Sequence, residues 1–235
     1  MEFEEADKIV TIYTKDYGKI TAIAKGVRKI KSKFGSSLEI LTHSVFLIYK
    51  GRNIDIVSQA EILESFFSTS KEVIKFAFAV NCVEMVNKLT EQREINIGLF
   101  NLLKKVLHYL RKTADPKLLT LSFKWQTISL LGYRPSINHC CKCNKGVEDQ
   151  KNMYFNIKEG GLLCNNCLAE DKEGCINVSL YFVKLLRKIL ITHLSTISNA
   201  TIPDNKMKEL EKITNTYIGY HSEKSFKTDE FLKFL

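Results

Sequence analysis

No stretch of this 235-residue chain approaches the ~18 consecutive apolar residues that a membrane-crossing helix needs. Its first residues, Met1-Glu2-Phe3-Glu4-Glu5-Ala6-Asp7, are acidic where a signal peptide would be basic and then apolar, so a cytoplasmic protein with no membrane partner is expected. The familiar catalytic signatures are missing as well. There is no GxxxxGK(S/T) phosphate loop, no GxSxG elbow and no HExxH, and the carboxylates are scattered over helical faces without a readable pair. An enzyme is therefore the least expected class. The composition itself is ordinary: 45% hydrophobic and 26% charged residues exclude a disordered chain, and the length can bury one or two cores, which excludes a disulfide-stapled miniprotein.

Charge is unevenly spread. Thirty-five Lys and Arg stand against 26 Asp and Glu, a formal +9 that favours polyanionic partners. Between Lys15 and Lys33 the basic residues Lys15, Lys19, Lys25, Arg28, Lys29, Lys31 and Lys33 face only Asp16, whereas residues 133–178 hold six charges of each sign. The basic run is interleaved with Tyr13, Tyr17 and Phe34. On a small barrel this combination neutralises phosphates while aromatic faces stack on unpaired bases, a binding mode that needs no sequence preference. The competing reading is a solvated basic face over core aromatics. Tyr13 and Phe34 suit the core; Tyr17, in a turn, is the better stacking candidate.

The first 65 residues read as strands, because short β-rich runs alternate with turn chemistry. Lys8 to Lys15 and Lys19 to Lys25 flank a turn and predict one hairpin; His43 to Lys50, the Gly51-Arg52-Asn53 turn and Ile54 to Ser58 predict a second. A small antiparallel sheet or barrel follows. From about Ser70 the period becomes helical. Helices are expected over Lys71 to Leu89 and Asn96 to Arg111, and from an Asp115 cap with Pro116 at the first position to before Gly132. Beyond the cysteines, Ser179 caps a helix to His193, Asp204 caps one to about Tyr217, and a short one starts at Thr228. These helices are expected to form one bundle, with Trp125 in its core, interrupted by the cysteine segment.

That segment carries the most specific chemical signal. Cys140-x-x-Cys143 is followed, after 20 residues, by Cys164-x-x-Cys167. Thiolates at this spacing sit on tight knuckles, and two knuckles complete a tetrahedral shell around one Zn²⁺. Four thiolates leave no open position for water, so the ion would be structural, and with the metal they add −2 to a segment of no net charge. Such a knuckle suits stiffening of the bundle or a protein partner better than a grip on phosphates. Gly160-Gly161 permits the close turn before the second knuckle, and Tyr154-Phe155 supplies a strand beside it. Cys141 and His139 are weaker substitute ligands, Cys82 reads as plain core, and Cys175 has no assignment. His221-Ser222-Glu223 matches the H-x-E of zinc deaminases, but it follows the cysteines instead of preceding them and the metal already has four ligands, so a deaminase is rejected.

The run EADKIVTIYTKDYGKITAIAKGVRKIKSKFGSSLEILTHSVFLIYKG, the C-x-x-C followed by GGLLC-x-x-C, and the closing HSEKSFKTDEFLKFL resemble the RecO family of bacterial DNA repair proteins, in order and over nearly the whole chain. The resemblance implies an α+β protein: an N-terminal OB-fold barrel over 1–68, then a helical domain over 69–235 interrupted by a four-cysteine zinc-binding module at 134–178. It also implies a nucleoid-associated recombination mediator. Proteins of this family bind single- and double-stranded DNA, anneal complementary strands without ATP, associate with RecR, recognise the acidic C-terminal tail of SSB, and thereby help RecA displace SSB. Members usually carry about twenty more residues before the segment equivalent to Glu5-Ala6-Asp7, including a first strand, so a barrel with an uncovered edge is expected here. Two other classes share the charge and cysteines: an RNA- or ribosome-associated OB and zinc protein, and a pure protein scaffold.

Overall fold

The structure, a computed structural model, describes residues 2–3, 6–27, 29, 32, 34–67, 72–147, 152–170 and 172–232. Arg28, Lys31 and Lys33 of the basic run lie outside the described residues. By its contacts the chain divides into two compact units, Met1–Arg111 with Thr228–Leu235, and Lys112–Lys227.

In the first unit the predicted hairpin forms from β2 (Asp7–Thr14) and β3 (Gly18–Ala24). Along β3 burial alternates strictly, with Ile20, Ala22 and Ala24 inward, as a half-buried strand requires. The second hairpin pairs β4 (Thr42–Tyr49) with β5 (Asp55–Ser65). Here β5 is longer than the expected Ile54 to Ser58, because β4 pairs with it as far as Thr42–Ser65, across register shifts at His43/Ser44 and Leu47/Ile48 that bend the pair. A two-residue strand β1 (Glu2–Phe3) pairs with the start of β2. The order β1-β2-β3-β5-β4, antiparallel except for the β3/β5 pair, is that of the OB-fold. Ala22, Ala24, Phe34 and Val57 form its core, with Val10, Ile12 and Phe46 packed against them. Because β1 covers only Asp7 and Lys8, the rest of β2 has no strand on its outer side among the described residues, and β4 is the opposite edge.

Two long helices belong to this unit: α1 (Val73–Leu89), which buries Asn81 and Cys82, and α2 (Ile97–Leu110), capped by the Asn96 side chain accepting from Leu99 N. Their connection is tied to the sheet. Arg93 N donates to Lys19 O at 2.9 Å, the Arg93 guanidinium pairs with Asp55 at 2.7 Å, and Gln92 donates to the Thr21 hydroxyl at 3.0 Å. The closing residues return to α1: Thr228 donates to Glu84 from its amide and its hydroxyl, and Asn81 Nδ2 donates to Thr228 and Asp229 at 2.7 Å each. Gly18 makes the sheet-to-connection approach feasible, since φ is +66° and a Cβ there would lie 2.2 Å from Glu94 O. Gly18→Ala is expected to cost at least about 2 kcal/mol of unfolding free energy, measured by urea titration.

The second unit contains α3 (Pro116–Leu130), with Asp115 capping at 2.9 Å as expected, then β6 (Asn152–Asn156), β7 (Gly161–Leu163), α4 (Asn165–Glu170), β8 (Cys175–Ser179), α5 (Leu180–Ile191), capped by Ser179, α6 (Leu194–Ile197) and α7 (Asp204–Ser222). Two details differ from the sequence reading. Pro203 is the N-cap of α7 and Asp204 its first helical residue; the helix also continues past Tyr217 until Glu223 turns left-handed at φ 51°. The short last helix α8 spans Lys227–Leu232.

Trp125 is fully buried and donates to the Thr214 hydroxyl at 2.8 Å. Phe155 of β6 reaches the same core, its ring 6.4 Å from Trp125, 5.7 Å from Tyr217 and 6.1 Å from Phe182. The cysteine segment is therefore a wall of the helical core and not an appendage. Among the described residues no helix is long and apolar enough to cross a membrane.

Candidate metal centre and nucleic-acid interface

The four cysteines of the two pairs meet. The sulfurs of Cys140, Cys143, Cys164 and Cys167 all lie within 4.8 Å of one another, and Cys143 and Cys164 are 3.7 Å apart. A tetrahedral shell with ~2.3 Å metal–sulfur bonds spaces its sulfurs by about 3.8 Å, so the cluster fits a soft four-coordinate ion. Local backbone builds it. Cys140 N donates to Lys145 O, Asn144 N returns to Cys140 O with Asn144 left-handed at φ 58°, and Cys164 precedes α4, so that Cys167 comes back within its first turn. The knuckles are held together because Cys141 N donates to Leu162 O and Ser136 N to Gly160 O. Gly161 allows this approach: a Cβ there would fall 2.4 Å from Ser136 O.

Electrostatics within the cluster divide it. Burial pushes the Cys140 thiol up, but the amides of Cys143, Cys164 and Lys142 donate to the thiolate and bring it down to about 6. Burial raises Cys167 to about 12. Cys141 stands outside the four-sulfur set, its thiol raised to about 11 chiefly by burial, and His139 is not part of the set either. Cys175, unassigned in the sequence, is the first residue of β8 and accepts from Asn156 Nδ2 at 3.4 Å.

The basic run is split by the hairpin. Lys15, Tyr17 and Lys19 lie at its turn end, Lys25 and Lys29 at the other, separated by the seven residues of β3, roughly 20 Å at about 3.3 Å per residue. Tyr17 is 66% exposed, as a stacking residue must be, and Lys25 and Lys29 are exposed. Lys19 is engaged within the unit: its ammonium donates to the carbonyls of Asn87, at 2.6 Å, and Thr90, at the C-terminal end of α1. Phe34 is core, and Tyr13 is half-buried with its phenol raised to about 12 by burial and then by Glu94.

The turn-end residues border a cleft of about 1240 Å³ inside the first unit, walled by β2, β4 and the facing sides of α1 and α2. Its walls include Val10, Ile12, Leu47 and Leu107, and its lining adds Lys50 and Lys104, which the sequence reading missed. His43 is there too, its pKa lowered by burial and by Lys104 against the opposing pull of Glu64. Only tertiary packing puts Lys50 and Lys104 in the lining of one cleft with Lys15; no local sequence signal unites them.

Comparison with known proteins matches residues 1–66 to the family model "Recombination protein O N terminal" and residues 71–230 to "Recombination protein O C terminal". The chain belongs to the RecO family. Named relatives include the DNA repair protein RecO of Bacillus mycoides (strain KBAB4) and that of Bacillus cereus (strain AH187), each 31% identical over 232 residues, covering 99% of this chain and 92% of the relative. The RecO family is one of DNA repair proteins, and its two models divide the chain between β5 and α1.

Proposed function

We propose that this chain is a recombination mediator that binds single- and double-stranded DNA, anneals complementary strands, and with RecR helps RecA replace SSB on single strands in the nucleoid. Membership of the RecO family along both halves of the sequence carries this reading. In it, residues 1–68 are the DNA-binding OB domain. Residues 69–235 are the helical domain, interrupted by a zinc module at 134–178, and offer the basic surface that receives the acidic tail of SSB. Lys15, Tyr17, Lys25, Arg28, Lys29, Lys31 and Lys33 supply contacts, with Lys19 alongside its helix-capping role. Lysines displace counterions from phosphates while Tyr17 stacks on an unpaired base, so two coated strands can approach without nucleotide hydrolysis. Zn²⁺ is the ion proposed for the four cysteines, where it supplies a structural crosslink only.

The test is annealing of complementary oligonucleotides coated with SSB, with and without RecR, and with structured RNA as competitor. Accelerated annealing that RNA does not preferentially suppress is expected. Failure to accelerate, or preference for the RNA, would overturn the proposal.

A further inference from the structure

The His221-Ser222-Glu223 run, rejected as a deaminase signature, has a different occupation. His221 Nε2 donates to Ile157 O at 2.8 Å, which fixes the imidazole against the end of the cysteine module. Three tyrosines surround it. The ring centroid of His221 lies 4.3 Å from buried Tyr217, 5.2 Å from Tyr220 and 5.5 Å from Tyr133. The Tyr217 hydroxyl donates to Tyr133 O at 3.1 Å, so the base of the cluster is hydrogen-bonded as well as packed. Tyr133 and Tyr220 nevertheless leave 47% and 50% of their surface in solvent.

Chain segments far apart in sequence thus converge to hold rings rigidly at the surface with their apolar area unspent. Exposed Arg134, Lys158 and Lys224 are close sequence neighbours of Tyr133, of the Ile157 anchor and of His221, with exposed Glu159 and Glu223 among them. The second unit as a whole holds 17 Lys and Arg against 11 Asp and Glu, a formal +6.

We propose that Tyr133, His221 and Tyr220 form a second platform, on the second unit, that stacks on unpaired bases of single-stranded nucleic acid, with Arg134, Lys158 and Lys224 as phosphate contacts. This rests on the nucleic-acid reading above and extends it to a surface remote in sequence from the basic run. Preformed rings lose little side-chain entropy on stacking, and every base offers a π-face, so binding is sequence-tolerant. The basic set is diluted by two carboxylates; the stacking share of the platform's affinity is nearly insensitive to salt, and only its phosphate contacts add to the salt slope.

The experiment uses the full chain and oligothymidylate carrying 5-iododeoxyuridine. Photocrosslinks are expected on Tyr133, Tyr220 or His221. The double variant Tyr133→Ser/Tyr220→Ser, checked for an unchanged Trp125 emission and melting midpoint, is expected to bind at least about tenfold more weakly with an unaltered salt slope, and the Tyr→Phe pair to restore binding. If wild-type protein binds the oligomer but crosslinks fall only within residues 1–68 and the double Ser variant binds normally, the platform is refuted while the OB reading survives. If wild-type protein does not bind at all, both fall.

Discussion

Chelation of the metal under reducing conditions is expected to lower the thermal midpoint of the second unit by at least about 10 °C, followed through Trp125, the sole tryptophan of the chain. The size follows from where the cysteine module sits. Phe155, two residues before the turn that leads to Cys164, packs within a ring-contact distance of Trp125, Tyr217 and Phe182, so loosening the knuckles opens the helical core. Cys143→Ser is the cleaner variant, because Cys143 is exposed and its replacement leaves no core cavity, whereas Cys140 is buried. Elemental analysis should give one zinc per wild-type chain and a marked loss in the variant. A midpoint that stays in place after the metal is demonstrably gone would show that the four thiols fold without a crosslink. Metal release should also rise as pH falls, because bound thiolates must be deprotonated and protons compete for them.

Reversing the charge of Arg28, Lys29 and Lys31 together is expected to abolish annealing and to reduce the slope of log affinity against log salt by about 2, at ~0.7 per phosphate contact on single strands. The prediction separates this loop from the cleft lined by Lys15 and Lys50. Lys15→Glu with Lys50→Glu tests the cleft, whose lining includes both, and each set should remove its own share of the slope if both contact the backbone. An unchanged slope in the loop variant would remove the loop from the interface. Lys19→Glu is unsuitable for this purpose: its ammonium caps α1, and its loss would be read as instability as well as weaker binding.

Short β-rich runs bounded by turn residues revealed β2, β3 and β4, amphipathic periodicity located α2, and caps at Asp115 and Ser179 located two helix starts, because those signals act over a few residues. The far half of β5 escaped because Gln59, Glu61 and Glu64 break the apolar pattern; pairing with Thr42–Leu47 of β4 holds it as strand. Asp204 suits a cap by residue type, yet Pro203 takes that position: its ψ of 145° is extended while the chain turns helical from Asp204 on. Strand β8 was invisible, since Cys175 and its neighbours become a strand only through pairing with β6.

For the sulfur cluster, the chain alone specified the members: two pairs at knuckle spacing dictate which sulfurs can converge, and they do. For nucleic-acid contacts it specified a charge inventory but not its arrangement. Where a lysine's ammonium points is set by whichever acceptors the fold brings near, and so Lys19 ends on helix carbonyls while Lys50 and Lys104 join Lys15 at a cleft. The Tyr133, His221 and Tyr220 cluster belongs wholly to this second kind. Short-range spacing is written in covalent geometry, whereas convergence of distant segments depends on which surfaces bury best together, and only the folded chain decides that.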